Sequence, residues 1–139
     1  MFDGRVHFCG FSRTMILLFV TAAGTPAIAD DWPSWRGNNR NAVSKETGLI
    51  DSWPVDGPPI EWRVSGIGKG YSSVVVSNGL VFTTGRIDSD VYCVAIELQT
   101  GDQKWETKIG TTARNVMATP TVHGEFVYAV DPDGVLVCL

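Results

Sequence analysis

The stretch Ala95-Ile96-Glu97-Leu98-Gln99-Thr100-Gly101-Asp102-Gln103-Lys104-Trp105 decides the fold. It reads as strand, tight turn, strand. The apolar run Val91 to Ile96 leads in, and Thr100-Gly101-Asp102 supplies the reversal. Glycine there takes the positive φ that a tight turn needs. The return strand alternates: Lys104, Glu106 and Lys108 fall on one face, Gln103, Trp105 and Thr107 on the other. One face of this strand is therefore set for burial, with Trp105 as its anchor. An indole buries about 150–250 Å², worth about 4–6 kcal/mol by area before entropy is subtracted.

Working outward, the surrounding chain is periodic. Ser72-Ser73-Val74-Val75-Val76-Ser77-Asn78-Gly79-Leu80-Val81-Phe82 is strand, Asn-Gly hairpin turn, strand. The segment Ala118 to Tyr128 aligns with it without a gap at an offset of 46, matching Val76 to Val122, Val81 to Val127 and Phe82 to Tyr128. Val91 to Ala95 then matches Val135 to Leu139 at an offset of 44. A repeat of about 45 residues made of short strands indicates a β-propeller blade. Leu80 to Phe82 and Val91 to Ile96 are apolar on both faces, as strands covered on both sides should be. Pro120 suits an edge strand, which an innermost blade strand is.

The composition agrees with an all-β globular chain. Of 139 residues, 44% are apolar and 19% charged, and glycine is frequent at 15, which separates the chain from disordered sequences. The formal net charge of −4 lacks the clustered Lys and Arg of a nucleic-acid or anionic-membrane footprint. Residues 1–29 have the pattern of a secretory signal peptide: Arg5 and Arg13, the apolar core Met15 to Val20, and the small-x-small site Ala27-Ile28-Ala29. That core is too short for the roughly 20 residues of a membrane span, so an exported, periplasmic or extracellular protein with no integral span is expected. Cys9 precedes the apolar core rather than following it, which speaks against a lipid anchor. From Asp30 onward, Cys93 and Cys138 remain, each within an apolar strand run. Two unpaired core thiols are expected.

Residues 30–70 form a lead segment rich in Trp and Pro, with Trp32, Trp35, Trp53 and Trp62. It is too short for its own core and is expected to wrap over another surface and bury its indoles, the alternative being an aromatic platform for a ligand. Ile60 to Val64 is a candidate strand. Ser65-Gly66-Ile67-Gly68-Lys69-Gly70 superficially resembles a phosphate loop, but no Ser or Thr follows the lysine and a Val-rich strand stands where a helix is required. Asp131-Pro132-Asp133-Gly134 lacks the further oxygen ligands of a calcium loop and reads as a hairpin turn. His123 is the one histidine after residue 29 and is expected exposed in a turn; alone it makes no zinc site. Nothing places a serine nucleophile on an elbow. No catalytic, cofactor-binding or metal-binding residues are assigned.

These residues resemble the repeats of the quinoprotein-dehydrogenase-like propellers, the PQQ-like repeat family. Its blade pattern Ala-x-Asp-x-x-Thr-Gly-x-x-x-Trp is met by Ala95, Glu97, Thr100, Gly101 and Trp105, with Glu97 in place of Asp. The resemblance implies that Trp105 and Gly101 serve a docking contact in which a Trp sits on the Gly turn of a neighbouring blade. It implies blades of four antiparallel strands, one at about 71–110 and an incomplete one at about 116–139. Trp32-Pro33-x-Trp35-Arg36-Gly37 and Trp53-Pro54 through Gly57-Pro58-Pro59 resemble the lead of exported members. Propellers have four to eight blades, and about two are present, so a truncated fragment is expected, the alternative being a ring closed with other copies; missing blades or a protein partner are expected to complete it. Family enzymes hold PQQ with a vicinal Cys pair, a Trp floor and calcium; no adjacent cysteines occur here. The resemblance therefore implies a non-catalytic, BamB-like binding scaffold, with a fragment of a PQQ-dependent alcohol or sugar dehydrogenase as the alternative.

Overall fold

A computed structural model describes residues 29–139; the leader expected over 1–29 lies outside the described residues except for Ala29. The architecture is all-β. A four-stranded antiparallel sheet has the order β1 (Val75–Ser77), β2 (Leu80–Ile87), β3 (Asp90–Glu97), β4 (Gln103–Thr111). A three-stranded antiparallel sheet follows, β5 (Thr121–His123), β6 (Phe126–Val130), β7 (Leu136–Cys138). No helix among the described residues is long and apolar enough to cross a membrane.

The turns follow from their residues. Asn78 and Gly79 both have positive φ, 53° and 75°, and Ser77 pairs with Leu80 across them, the two-residue hairpin whose twist matches the strands. The β2–β3 turn at Asp88-Ser89 uses Asp88 at φ 53°, a residue type that tolerates the left-handed region. This turn lets β2 run to Ile87, further than the Leu80–Phe82 core of its apolar pattern suggests. At the next reversal Gly101 sits at φ 76°, and the Glu97 and Gly101 amides donate to Asp102 and Glu97 carbonyls at 2.8 and 2.9 Å.

The first sheet is covered on both faces. Val75, Phe82, Val91, Cys93, Ala95 and Ile109 pack with Val116, Val122, Val127 and Ala129 from the second sheet and its approach. On the other face Val81, Val94 and Ile96 lie under Trp62, Val64 and Ile67 of the lead. That double cover is why β3 reads as a continuous apolar run. The start of the lead closes the inner edges: Trp32 exchanges two backbone bonds with Val76, at 2.8 and 3.0 Å, and the Pro33 carbonyl accepts from the Val122 amide at 2.7 Å.

The pairing register corrects the repeat. Phe82 faces Ala95 in the first sheet and Tyr128 faces Cys138 in the second. Since Phe82 and Tyr128 are 46 apart, the third strands are related by 43 residues and not 44. A one-residue slip moves every side chain to the opposite face. Cys138 therefore corresponds to Ala95 and not to Val94, and it is exposed, whereas Cys93 is buried; both are free. The expectation of two core thiols holds for Cys93 alone. With the corrected offset, equivalent residues face the same way round: Val81 and Ile96 face the lead, and Val127 and Leu139 face the first sheet.

Three other expectations change. Ile60 to Val64 forms no regular strand. Of the four lead indoles, Trp32 and Trp62 are half-buried, while Trp35 and Trp53 are 60% and 67% exposed; Trp35 carries the Arg36 guanidinium 5.3 Å over its ring. In β4 the buried side chain is Ile109, and Trp105 is only half-buried, beside an apolar cleft that it shares with second-sheet residues.

Gly68 and Gly70 of the 65–70 loop, and Gly85 across from it, allow close backbone approach: a Cβ would lie 2.7 Å from the Arg86 nitrogen at Gly68 and 3.0 Å from the Val116 oxygen at Gly70. Lys69 and Arg86 exchange bonds at 2.8 and 2.9 Å, and a Cβ on Gly85 would lie 2.0 Å from the Ile67 carbonyl oxygen. Gly85→Ala is expected to force the two backbones apart at a cost of about 1–3 kcal/mol, read as a lower urea midpoint; an unchanged midpoint would remove the close crossing as a constraint.

Candidate functional site: an indole seated on a glycine turn

Gly101 is the centre of the most specific arrangement in the molecule. The Trp62 ring lies over it so closely that a Cβ at this position would meet ring atoms at 2.8 to 3.0 Å. The indole Nε1–H donates to the Leu98 carbonyl at 2.9 Å. The ring thus covers the turn peptide with its face and satisfies its only donor on the same turn, which removes the usual penalty for burying an indole N–H. Trp32 repeats the device on Gly37, at ring distances of 2.8 to 2.9 Å and a φ of 77°.

The turn that receives Trp62 is fixed by its own side chains. Thr100 Oγ1 donates to Asp102 Oδ2 at 2.7 Å and accepts from the Asp102 amide at 3.2 Å. Glu97 pairs with Lys104 across the strands at 2.8 Å, and Glu97 in turn holds the Lys104 ammonium above its ordinary pKa. Ala95 is fully buried opposite Trp105 in the ladder. Ala95, Glu97, Thr100 and Gly101 are therefore gathered in and around one hairpin, as the sequence pattern groups them.

Trp105 lies elsewhere. Its ring centroid is 5.8 Å from that of Phe82 at an interplanar angle of 49°, beside an apolar cleft of about 460 Å³ lined by Leu80, Phe82, Val122, Val127 and Leu139. The indole on Gly101 is that of Trp62, a residue the sequence treated only as one of four lead tryptophans. Its signal was present: Trp62 precedes Trp105 by 43 residues, the same spacing that relates the third strands.

The other candidates serve structure. Asp131 is buried and its Oδ1 accepts from the Asp133 and Val135 amides at 3.0 and 2.8 Å, closing the turn before β7. His123 is exposed at the end of β5. No group of three or more His, Cys, Asp or Glu residues is placed to hold a metal ion among the described residues. Burial pushes the Cys93 thiol up to about 11. Lys108, bonded at 2.9 Å, holds the Asp90 carboxyl below its ordinary value.

The chain matches no protein-family model, no curated protein and no solved structure.

Two outcomes follow from this geometry. Trp62→Phe keeps a ring over Gly101 but leaves the Leu98 carbonyl without its donor, a loss of about 1 kcal/mol; Trp62→Ala should cost about 3 kcal/mol. Denaturant titration of both variants checks the order, and equal midpoints would show that the indole contributes nothing there. The thiol gives a pH signature. Because the folded pKa of Cys93 is raised, the native state holds its proton longer than the unfolded chain. The contribution of Cys93 to stability is therefore complete below the ordinary thiol range and falls as pH rises toward about 11. Urea midpoints of the wild type and Cys93→Ala, compared from pH 7 to 11, should converge.

Proposed function

We propose that this chain is a β-propeller-type module of the PQQ-like repeat kind, exported to the periplasm or the extracellular space, with a non-catalytic role as a binding scaffold. The observation that carries the proposal is the Trp62 indole seated on the Gly101 turn. It ties the lead to the β3–β4 turn of the first sheet, from the side opposite the second sheet, so the first sheet is covered on both faces as a sheet within a radial series would be. Two further observations support it. The two sheets pack face to face through an apolar layer. Residues equivalent under the repeat face the same direction around the stack, Val81 toward the lead and Val127 toward the first sheet.

The scaffold role rests on what the Gly101 site contains. Around Gly101 the polar groups are spent on the turn itself: Thr100 on Asp102, Glu97 on Lys104, and the Trp62 N–H on Leu98. None is left converging on a space where a substrate could react. Export is supported by the leader pattern of residues 1–29.

The alternative, a fragment of a PQQ-dependent dehydrogenase, makes a different forecast in one experiment. Purified protein is mixed with PQQ and calcium, separated from free quinone, and examined for quinone absorbance and for dye reduction with primary alcohols and sugars. No retained quinone is expected. Stoichiometric retention with dye reduction would replace the scaffold reading by the enzyme.

A further inference from the structure

We propose that the cleft between the 65–70 loop and the end of β2 binds a phosphate group, free or as a monoester, through the side chains of Lys69 and Arg86. The site lies apart from the Gly101 turn and does not rest on the scaffold role, so the quinone experiment and the one below fail independently.

The backbone crossing creates the site. Lys69 and Arg86 form an antiparallel bridge and exchange both backbone hydrogen bonds, at 2.8 and 2.9 Å. Residues paired in this way stand directly opposite, about 5.5 Å apart at Cα, with their side chains on one face. Gly68 and Gly85 permit that separation: a Cβ on Gly68 would lie 2.7 Å from the Arg86 nitrogen, and one on Gly85 2.0 Å from the Ile67 oxygen. The glycines thus bring two cations side by side. Like charges directly opposite are normally unfavourable, and basic residues are outnumbered in this chain, 11 against 15 acidic.

Other cations of the first sheet are placed differently. Lys104 and Lys108 of β4, and Arg114 after it, have carboxylates at 2.8, 2.9 and 3.3 Å. Lys69 and Arg86 have no carboxylate within ion-pair distance among the described residues. The guanidinium is also incompletely bonded. Arg86 Nη1 donates to the Asp88 carbonyl, while Nε is shut off from solvent with no hydrogen-bond partner. A charged donor left unpaired inside protein is costly. The arrangement therefore gives up stability to keep the Arg86 charge beside that of Lys69. Both side chains line one open cleft of about 510 Å³, together with Gly66, Gly68, Ile87 and Asp88.

The pair selects its ligand by charge and shape. A carboxylate brings a single negative charge and matches one cation. A phosphate monoester carries about −1.5 to −2 at neutral pH on several acceptor oxygens, and so answers both. The planar guanidinium suits two of those oxygens, and the ammonium serves as a point charge on another. The ester group has Ile87, 40% exposed, to lie against. Recognition here differs from that of a helix-capped phosphate loop, because Lys69 is bridged to β2 and opens no helix. Asp88 is the acidic side chain on the same cleft, and it competes with the anion for the two cations.

The test is calorimetric titration of the purified chain at about pH 8, where the phosphate group is a dianion, with inorganic phosphate, phenyl phosphate and acetate in turn. Saturable binding of one phosphate per chain is expected, and no saturable binding of acetate. Tighter binding of phenyl phosphate assigns the cleft to a monoester; tighter binding of inorganic phosphate assigns it to the free ion. Lys69→Gln changes an exposed side chain, and Arg86→Lys keeps the charge but removes the planar fork; each should weaken binding about tenfold or more, with an unchanged far-ultraviolet spectrum. Asp88→Asn should strengthen it. No saturation with either phosphate, acetate binding as tightly as phosphate, or affinities that survive both Lys69→Gln and Arg86→Lys would overturn the proposal.

Discussion

β3 must lose water on both faces, and much of the molecule answers that requirement. Val91, Cys93 and Ala95 point to one side, Val94 and Ile96 to the other, and all five are buried. A single sheet cannot satisfy such a strand, because antiparallel sheets left alone expose one face. The second sheet supplies one cover through Val122, Val127 and Ala129. The lead supplies the other through Trp62, Val64 and Ile67, although it has no regular secondary structure of its own. At about 25 cal/mol per Å² of apolar surface, neither layer is dispensable to a domain whose net stability is small beside the terms it balances.

The lead solves its problem differently from the strands. A chain without a ladder has backbone groups and side chains to place and few partners to place them on. Here two indoles lie on glycines whose φ is positive, Trp62 on Gly101 and Trp32 on Gly37. The missing Cβ gives the ring access to the peptide plane, and the positive φ turns that plane outward. At Gly101 the Leu98 carbonyl takes the indole proton as well. The contact is therefore specific in position and direction, which a merely apolar patch would not be. Trp35 and Trp53, which have no such seat, remain exposed.

Much of this was legible in the sequence. The Asn78-Gly79 hairpin, the Thr100-Gly101 turn, the doubly apolar third strand and the order of the strands follow from local chemistry and periodicity. What failed did so for stated reasons. The third-strand offset of 44 followed similarity of residue type, Val and Cys against Val and Cys, where pairing to Phe82 and Tyr128 imposes 43. Residue type alone cannot fix register when both faces are apolar, because a slip by one costs nothing in the pattern. The resemblance implied that Gly101 receives an indole from a neighbouring unit, but the sequence did not say which tryptophan. The indole that arrives is Trp62, 39 positions earlier in the chain, and only the fold brings it there. The roles of Gly68 and Gly85 were also invisible, since close backbone crossings leave no periodic trace.

The asymmetry between the sheets has a thermodynamic consequence. Among the described residues the second sheet has three short strands where the first has four, and Leu136 and Cys138 of β7 are exposed, so it is the weaker unit. Local opening follows burial and backbone pairing; β7, three residues long with one paired side, should therefore open well before β3. Trp105 borders the same sheet. Its counterpart Trp62 rests on the Gly101 turn and gives its N–H to Leu98, while Trp105 meets the Phe82 ring at 5.8 Å and faces a cleft bordered by Gly124, Glu125 and Leu139, the second-sheet counterparts of Asn78, Gly79 and Ile96. A glycine seat with a hydrogen bond fixes an indole in position and direction; contact with an apolar cleft fixes it by area alone.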